Sequence, residues 1–458
     1  MKNYLKILLI CTLPILAGCK KSFLQAKPDD SLVVPSTLAE LRAILDNDTY
    51  INGSNSFGAD PHLGDQGTDD YYLTDEDYLN NTDDYHRAAY TWADQIPFPA
   101  ASKNWIGPYR VIFYANIVLD GLKKITPAPS ELDEYQNLRG CALFLRAYQF
   151  YNLAQVFAPP YNAATAETDL GIPLRLSADV SEKSFRATLG QTYTQILNDL
   201  RESIRLLPDL AAFKTRGGKS AAYALLSRIY LTMQQYEASR TNAALSLSLQ
   251  GELIDYNDVS ASDPRPFKLF NKEVIFLSSI SEDFPNLIPD YAKIADDLYE
   301  SYPENDLRKK LFFSSQDQYQ IFKGSYNGNS IPFTGLATDE IFLNLAEAHA
   351  RLGDGAQARA VLNQFLQKRI DKASFEPVEL SAPEQLLGLI LDQRRKQLLF
   401  RNTRWTDLRR LNIDPRFART LSRTVNGSVY TLPPNDLKYT WPIPSDVLGL
   451  ANLIQNPR

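Results

Sequence analysis

The sequence predicts a mainly α-helical chain with a second, irregular and loop-rich lobe. Residues 105–122, 131–157 and 383–411 place apolar side chains at helical spacing, and no proline falls between Pro383 and Pro415. Two further stretches, 219–249 and 339–370, each read as two helix-period segments around a short polar break, with alanines where packed helices approach. By contrast, residues 50–100 and 251–335 are irregular or mixed, and the first is crowded with Asp, Tyr and Trp. These patterns assign a helical scaffold to about 101–250 and 338–411 and the loop-rich lobe to about 50–100 and 251–337.

The N-terminus sets the compartment. Lys2 and Lys6 precede a short apolar run, Ile7 to Ile15, too short to span a bilayer. Leu16-Ala17-Gly18-Cys19 then has the small-residue-before-cysteine form of a bacterial lipoprotein signal. Residues 1–18 therefore read as a signal peptide, with lipid on Cys19; several acyl chains on one cysteine anchor stably where one does not. Cleavage removes Cys11, so Cys141 has no partner for an intramolecular disulfide. Residues 19–36 read as a tether broken by Pro28, Asp29, Asp30 and Pro35.

Thr37 then fits an N-cap, with Leu38, Leu41 and Leu45 on one helical face. From Asn52 to Pro99, acids such as Asp69, Asp70, Asp83 and Asp84 interleave with Tyr71, Tyr72, Tyr78, Tyr85, Tyr90 and Trp92. A long loop that keeps its aromatics is more often functional than idle. Flat rings suit the C–H faces of sugars and carboxylates accept from sugar hydroxyls, so Tyr71, Tyr72, Tyr78 and Trp92 are the candidate ligand contacts. The plainer alternative is that these rings pin the loop to the helical body.

Helices are expected at Trp105–Leu122, Glu131–Phe157 and Thr188–Leu207, the last stopped by Pro208. Hairpins follow at Lys219–Met233 with Tyr236–Leu249, and at Asp339–Leu352 with Ala356–Ile370. Their alanines resemble those of tetratricopeptide repeats, which implies a right-handed helical scaffold. In the stretch between them, 273–277 and 319–323 read as short strands.

Composition excludes some functions. A net charge of −6 and a pI near 5.4 leave no basic face for nucleic acid. His62, His86 and His349 have no metal-ligand spacing, and no G-x-S-x-G elbow occurs. Gly218-Lys219-Ser220 echoes a phosphate loop, but Phe213 stands where its first glycine belongs. No catalytic constellation assembles, so no enzyme activity, cofactor or metal is expected.

The stretch 383–411 carries the strongest signal. Leu387, Ile390, Leu391, Leu398 and Leu399 form an apolar stripe that includes Arg394. A buried arginine cannot shed its charge, so it needs a carboxylate or a set of carbonyls; Asp407 is one candidate partner once the chain turns at Arg401-Asn402-Thr403. This cluster reads as a structural ion-pair network rather than an anion site. Gln393-Arg394-Arg395-Lys396-Gln397-Leu398, Arg401-Asn402-Thr403-Arg404 and Asp407-Leu408-Arg409-Arg410 resemble the C-terminal signature of the SusD/RagB family of outer-membrane nutrient-binding lipoproteins. That signature runs Glu-Arg-Arg-x-Glu-Leu, Glu-Gly-x-Arg, Asp-Leu-x-Arg, so here two glutamates have become amides and Glu-Gly has become Arg-Asn. Trp441-Pro442-Ile443-Pro444 resembles the family's ending.

The resemblance implies a lipid-anchored lid over a TonB-dependent, SusC-like outer-membrane barrel. It implies non-catalytic capture of an oligosaccharide or peptide by the irregular lobe. Lys20, rather than aspartate, after the lipid cysteine favours the outer membrane, and outward display is expected. The alternatives are a helical-repeat interaction lipoprotein without a ligand, and a hydrolase with an unrecognised site.

Overall fold

The computed structural model describes residues 35–53, 58–281 and 285–458, and everything below lies in the unit Thr37–Arg458. The expected signal peptide, Cys19 and nearly all of the tether lie outside the described residues.

Helix α1 (Leu38–Leu45) starts as its cap dictates. The Thr37 hydroxyl accepts from Glu40 N at 3.2 Å, and the Glu40 carboxylate accepts from Thr37 N at 3.0 Å. This reciprocal box satisfies two amides that a helix start leaves open. Leu38, Leu41 and Leu45 are its buried face, and Leu41 packs where a Cβ at Gly121 would meet it at 2.7 Å. Gly121 lies in α2 (Lys103–Leu122), which packs on α3 (Leu132–Phe157). From Gly140 to its end α3 is buried all round, and Pro159-Pro160 forbid its continuation. Helix α4 (Leu189–Leu206) opens on a second box, Thr188 with Gln191.

Helices α5 (Lys219–Thr232) and α6 (Tyr236–Leu249) form one hairpin, reversed through Gln234 at φ 59°. Helices α7 (Thr338–Arg351) and α8 (Gly355–Leu366) form the other, reversed at Gly353. Sequential helices stack from α2 to α4 and from α5 to α8, so each hairpin buries on its neighbour a face it could not bury alone. The fold is mainly α and tetratricopeptide-like. The stretch around 383–411 divides into α9 (Pro383–Gln397) and α10 (Arg404–Leu411), with Phe400 and Asn402 at φ 54° and 56° making the reversal.

Strands among the described residues occur as five antiparallel pairs. They are β1 (Tyr71–Tyr72) with β5 (Lys293–Ile294), β2 (Leu170–Pro173) with β3 (Arg186–Thr188), β4 (Val274–Phe276) with β8 (Leu336–Ala337), β6 (Phe313–Gln316) with β7 (Tyr319–Phe322), and β9 (Leu421–Val425) with β10 (Ser428–Leu432). The expected strands at 273–277 and 319–323 are β4 and β7. The hairpin β9–β10 was not expected. It turns on Asn426-Gly427, both at positive φ, as a tight hairpin of this twist requires.

One apolar core runs from α1 through α6, and another fills the α7–α9 layer. The irregular lobe has its own largely aromatic core, including Tyr71, Tyr90, Tyr256, Phe267, Phe312, Tyr326 and Phe400.

Candidate functional site

The arginine signature divides by its two directions. Inward, Arg394 Nε donates to Asp407 Oδ2 at 2.7 Å, and Arg394 Nη1 donates to Asn344 Oδ1 at 2.5 Å. Arg410 donates to the other Asp407 oxygen at 2.8 Å and takes Glu347 bidentately at 2.6 and 2.8 Å. Burial alone would push the Asp407 carboxyl up; Arg394 and Arg410 outweigh it and hold it below its usual range. Every charge in this knot has a partner. The two amides that depart from the family pattern remain wired in: Gln393 accepts from Arg308, while Gln397 donates to Asp339 at 2.8 Å and accepts from Arg369 at 3.1 Å.

Outward, the same helices reach the irregular lobe. Arg404 grips Asp69 bidentately at 2.8 and 2.9 Å. Arg395 reaches Asp70 at 2.9 Å, Asp69 at 3.3 Å and Asp297 at 3.3 Å. Arg419, just before β9, donates to Asp69 at 2.7 Å. Burial would raise Asp69, but Arg404, Arg395 and Arg419 together hold it well below the usual carboxylate range. Burial, opposed by Arg395 and Arg404 and assisted by the charge of Asp69, leaves neighbouring Asp70 raised.

Asp69 and Arg419 of this knot line an open cleft of about 580 Å³, walled by residues 68, 69, 71, 72, 90, 92, 295–297 and 419–424. Its polar surface is carried by exposed Asp296, Asp297, Arg419, Thr420, Ser422 and Thr424 and by half-buried Tyr72. Grooves of about 740 and 780 Å³ lie elsewhere, along α2 and beside the end of α4. Neither combines a carboxylate–arginine knot with the aromatics that the sequence singles out.

The structure corrects the expected roles of two of those aromatics. Tyr71 and Trp92 are 2% and 1% exposed, so neither offers a face to a sugar. Arg423 of β9 covers them: its guanidinium stands 5.1 Å from the Tyr71 ring, 3.9 Å from Tyr90 and 4.6 Å from Trp92. It also donates to the carbonyls of Gln66 at 2.9 Å, Thr68 at 2.6 Å and Tyr90. Trp92 Nε1 and the Tyr71 hydroxyl are spent on Gly67 O at 3.1 Å and Gln66 O at 3.0 Å. Tyr72 is half-buried in the cleft, edge-on to Tyr319 at 6.4 Å. Tyr78 is half-buried against Tyr90, 5.9 Å between ring centres, and does not line the cleft.

Sequence reasoning missed the 419–424 wall and Asp296-Asp297. The signal was present: Asn426-Gly427 is flanked by an alternation in which Leu421, Arg423 and Val425 point inward and Ser422 and Thr424 outward. The distant histidines also meet unexpectedly. His62 and His86 stack at 6.3 Å, bridged by Gln66 and close to Asn104, but no His, Cys, Asp and Glu cluster among the described residues could hold a metal. Cys141 is a free, buried thiol, and among the described residues no helix is long and apolar enough to cross a membrane.

Comparison with known proteins agrees with this architecture. A family model described as starch-binding and associating with the outer membrane matches residues 22–231, and one for the SusD family matches residues 312–458. SusD-like protein P2 of Formosa agariphila is 22% identical over 493 residues, covering 90% of this chain and 91% of that protein. A SusD superfamily structure from Bacteroides thetaiotaomicron superposes with a TM-score of 0.76 at 22% identity, covering 92% of this chain and all of the other. The surface glycan-binding protein A of Bacteroides fluxus superposes at 0.70 with 17% identity, covering 92% of this chain and 100% of that one. With its arginine signature folded into the knot between α9, α10 and the irregular lobe, the chain belongs to the SusD/RagB family, which is associated with the outer membrane.

Proposed function

We propose that this protein is held on the outer membrane by lipid on Cys19, faces outward, and captures oligosaccharide or peptide nutrients in the Asp69–Arg419 cleft without turning them over. It then passes them to a TonB-dependent, SusC-like barrel, against which the helical scaffold docks. The observation that carries this reading is the cleft itself. It is open, rimmed by hydroxyls, carboxylates and one accessible ring, and fixed by buried ion pairs in a fold shared with a surface glycan-binding protein. Rigid walls of that kind favour binding, since little order has to be created when the ligand arrives.

Gentle detergent extraction of native outer membrane with tagged protein tests the delivery step. A stoichiometric large β-barrel in the eluate is expected; recovery of the protein alone, while other membrane complexes survive, counts against it. The burial of Tyr71 and Trp92 favours a second reading, a helical interaction lipoprotein in which these rings only pack. That reading predicts that bulky substitutions in the cleft, such as Thr424→Trp, leave saccharide retention at the cell surface unchanged.

A further inference from the structure

The charges around the cleft are not evenly matched. Asp69 and Asp70 form a carboxylate pair already met by two arginines: Arg404 holds Asp69 through two hydrogen bonds, and Arg395 spans both. Arg419 is a third cation on that pair. It uses a single nitrogen, Nη1, on Asp69, each of whose oxygens already accepts from Arg404. The Nε and Nη2 of Arg419 make no hydrogen bond among the described residues. Its side chain is 44% exposed on the cleft wall. The Nε–Nη2 edge of a guanidinium is the fork that matches two oxygens of one oxyanion. Here that fork has no hydrogen-bond partner among the described residues, belongs to a partly exposed side chain, and is steadied at its far corner by the Asp69 carboxylate.

The rest of the cleft limits what else the ligand carries. Arg423 adds no accessible charge, since three carbonyls and three rings enclose it. Asp296 and Asp297 are exposed on the rim, and Asp297 shares Arg395. A chain charged at every unit would meet them unfavourably, whereas neutral hydroxyls would donate to them. Thr420, Ser422 and Thr424 supply neutral partners beside Arg419.

We infer that the cleft takes a sparsely acidic saccharide, with an isolated carboxylate or sulfate ester seated on the open fork of Arg419 and neutral sugar units along the Thr420–Thr424 and Asp296–Asp297 walls. This rests on the cleft being the saccharide site and names the chemical class it selects. Lysine at 419 would keep the charge but not the fork.

The minimal probes are sodium glucuronate, glucose 6-sulfate and glucose, titrated into wild type, Arg419→Gln and Arg419→Lys at low and high salt. Wild type should bind glucuronate or the sulfate ester with Kd on the order of 10 mM, the range one bidentate charged contact on a monosaccharide supports. Whichever of the two binds more tightly identifies the oxyanion. Arg419→Gln should lose about tenfold or more and Arg419→Lys an intermediate amount, and salt should weaken the wild-type interaction. Thermal midpoints should stay level, because Arg404 and Arg395 still hold Asp69. Failure of both anions to bind better than glucose, or equal binding by Arg419→Gln, overturns the inference. A neutral oligosaccharide bound alike by wild type and Arg419→Gln, yet blocked by Thr424→Trp, overturns the acidic class while leaving the cleft as the binding site. Neutral binding that survives Thr424→Trp overturns both.

Discussion

Replacing Arg423 by methionine is the sharpest test of how the cleft wall is held. The side chain crosses from β9 to the irregular lobe and gives hydrogen bonds to Gln66, Thr68 and Tyr90 carbonyls while lying on three rings. Its removal does not orphan all three carbonyls, since Gln66 O keeps the Tyr71 hydroxyl. Two remain, at about 1–3 kcal/mol each when buried and unmade. Lost cation–π contacts add roughly 0.5–1 kcal/mol apiece. Against these stands relief from burying a guanidinium that has no carboxylate partner among the described residues, worth several kcal/mol. The balance is a loss of about 2–4 kcal/mol, concentrated in the hairpin, because an uncharged side chain lets water reach the carbonyls only when β9 lifts. Urea denaturation measures the global part. Limited proteolysis reports the local part, since residues 426–431 are exposed in the turn and β10. Arg423→Lys, with one shorter donor group, should fall between. A methionine variant within about 0.5 kcal/mol of wild type, with no faster cleavage in the hairpin, would show that Leu421, Val425 and Leu432 hold the wall unaided and that the arginine bridge is incidental.

Asp407→Ala should cost about 3–5 kcal/mol in urea denaturation, since it leaves buried Arg394 with Asn344 and a long 3.9 Å approach to Glu340, and Arg410 with Glu347 alone; Asp407→Asn should cost less. Tyr72→Ala should weaken saccharide binding about tenfold with little change in stability, whereas Trp92→Ala should destabilise by about 3–5 kcal/mol as a core deletion. Asp65 gives a pH signature. Burial, only partly offset by the hydrogen bond from Asn402 N and reinforced by the charge of Asp70, raises its carboxyl from 3.8 to about 7. A folded pKa above the unfolded one means its stabilising share is full below pH 3.8 and is lost as pH rises through about 7, up to roughly 4 kcal/mol. Asp65→Asn should therefore gain on wild type between pH 5 and pH 8; an equal difference at both pH values would mean that Asp65 ionises normally.

How much of this was legible follows from how local each cause is. Caps and periods are local, which is why the cap at Thr37, the helix beginning around Thr188 and the turn at 401–403 are legible in the sequence and fall where expected. The pairing of Arg394 with Asp407 was legible for a related reason: an arginine on an apolar stripe must find a carboxylate or a set of carbonyls, and a helical reversal leaves few carboxylates within reach. The cleft was half legible. Asp69, Tyr71, Tyr72, Tyr90 and Trp92, all within the acidic and aromatic stretch, line it, but what a ring does there depends on what comes from far along the chain. Arg423 decides that Tyr71 and Trp92 face a guanidinium instead of solvent. In sequence it looks like any surface arginine, and only the inward phase of Leu421-Ser422-Arg423-Thr424-Val425 marks it. The same distance hid Arg419, whose partner Asp69 lies 350 residues earlier in the chain. A single chain shows which groups have to be paired. Which of them is left with an open hydrogen-bonding edge emerges only when distant segments meet, and that edge selects the ligand.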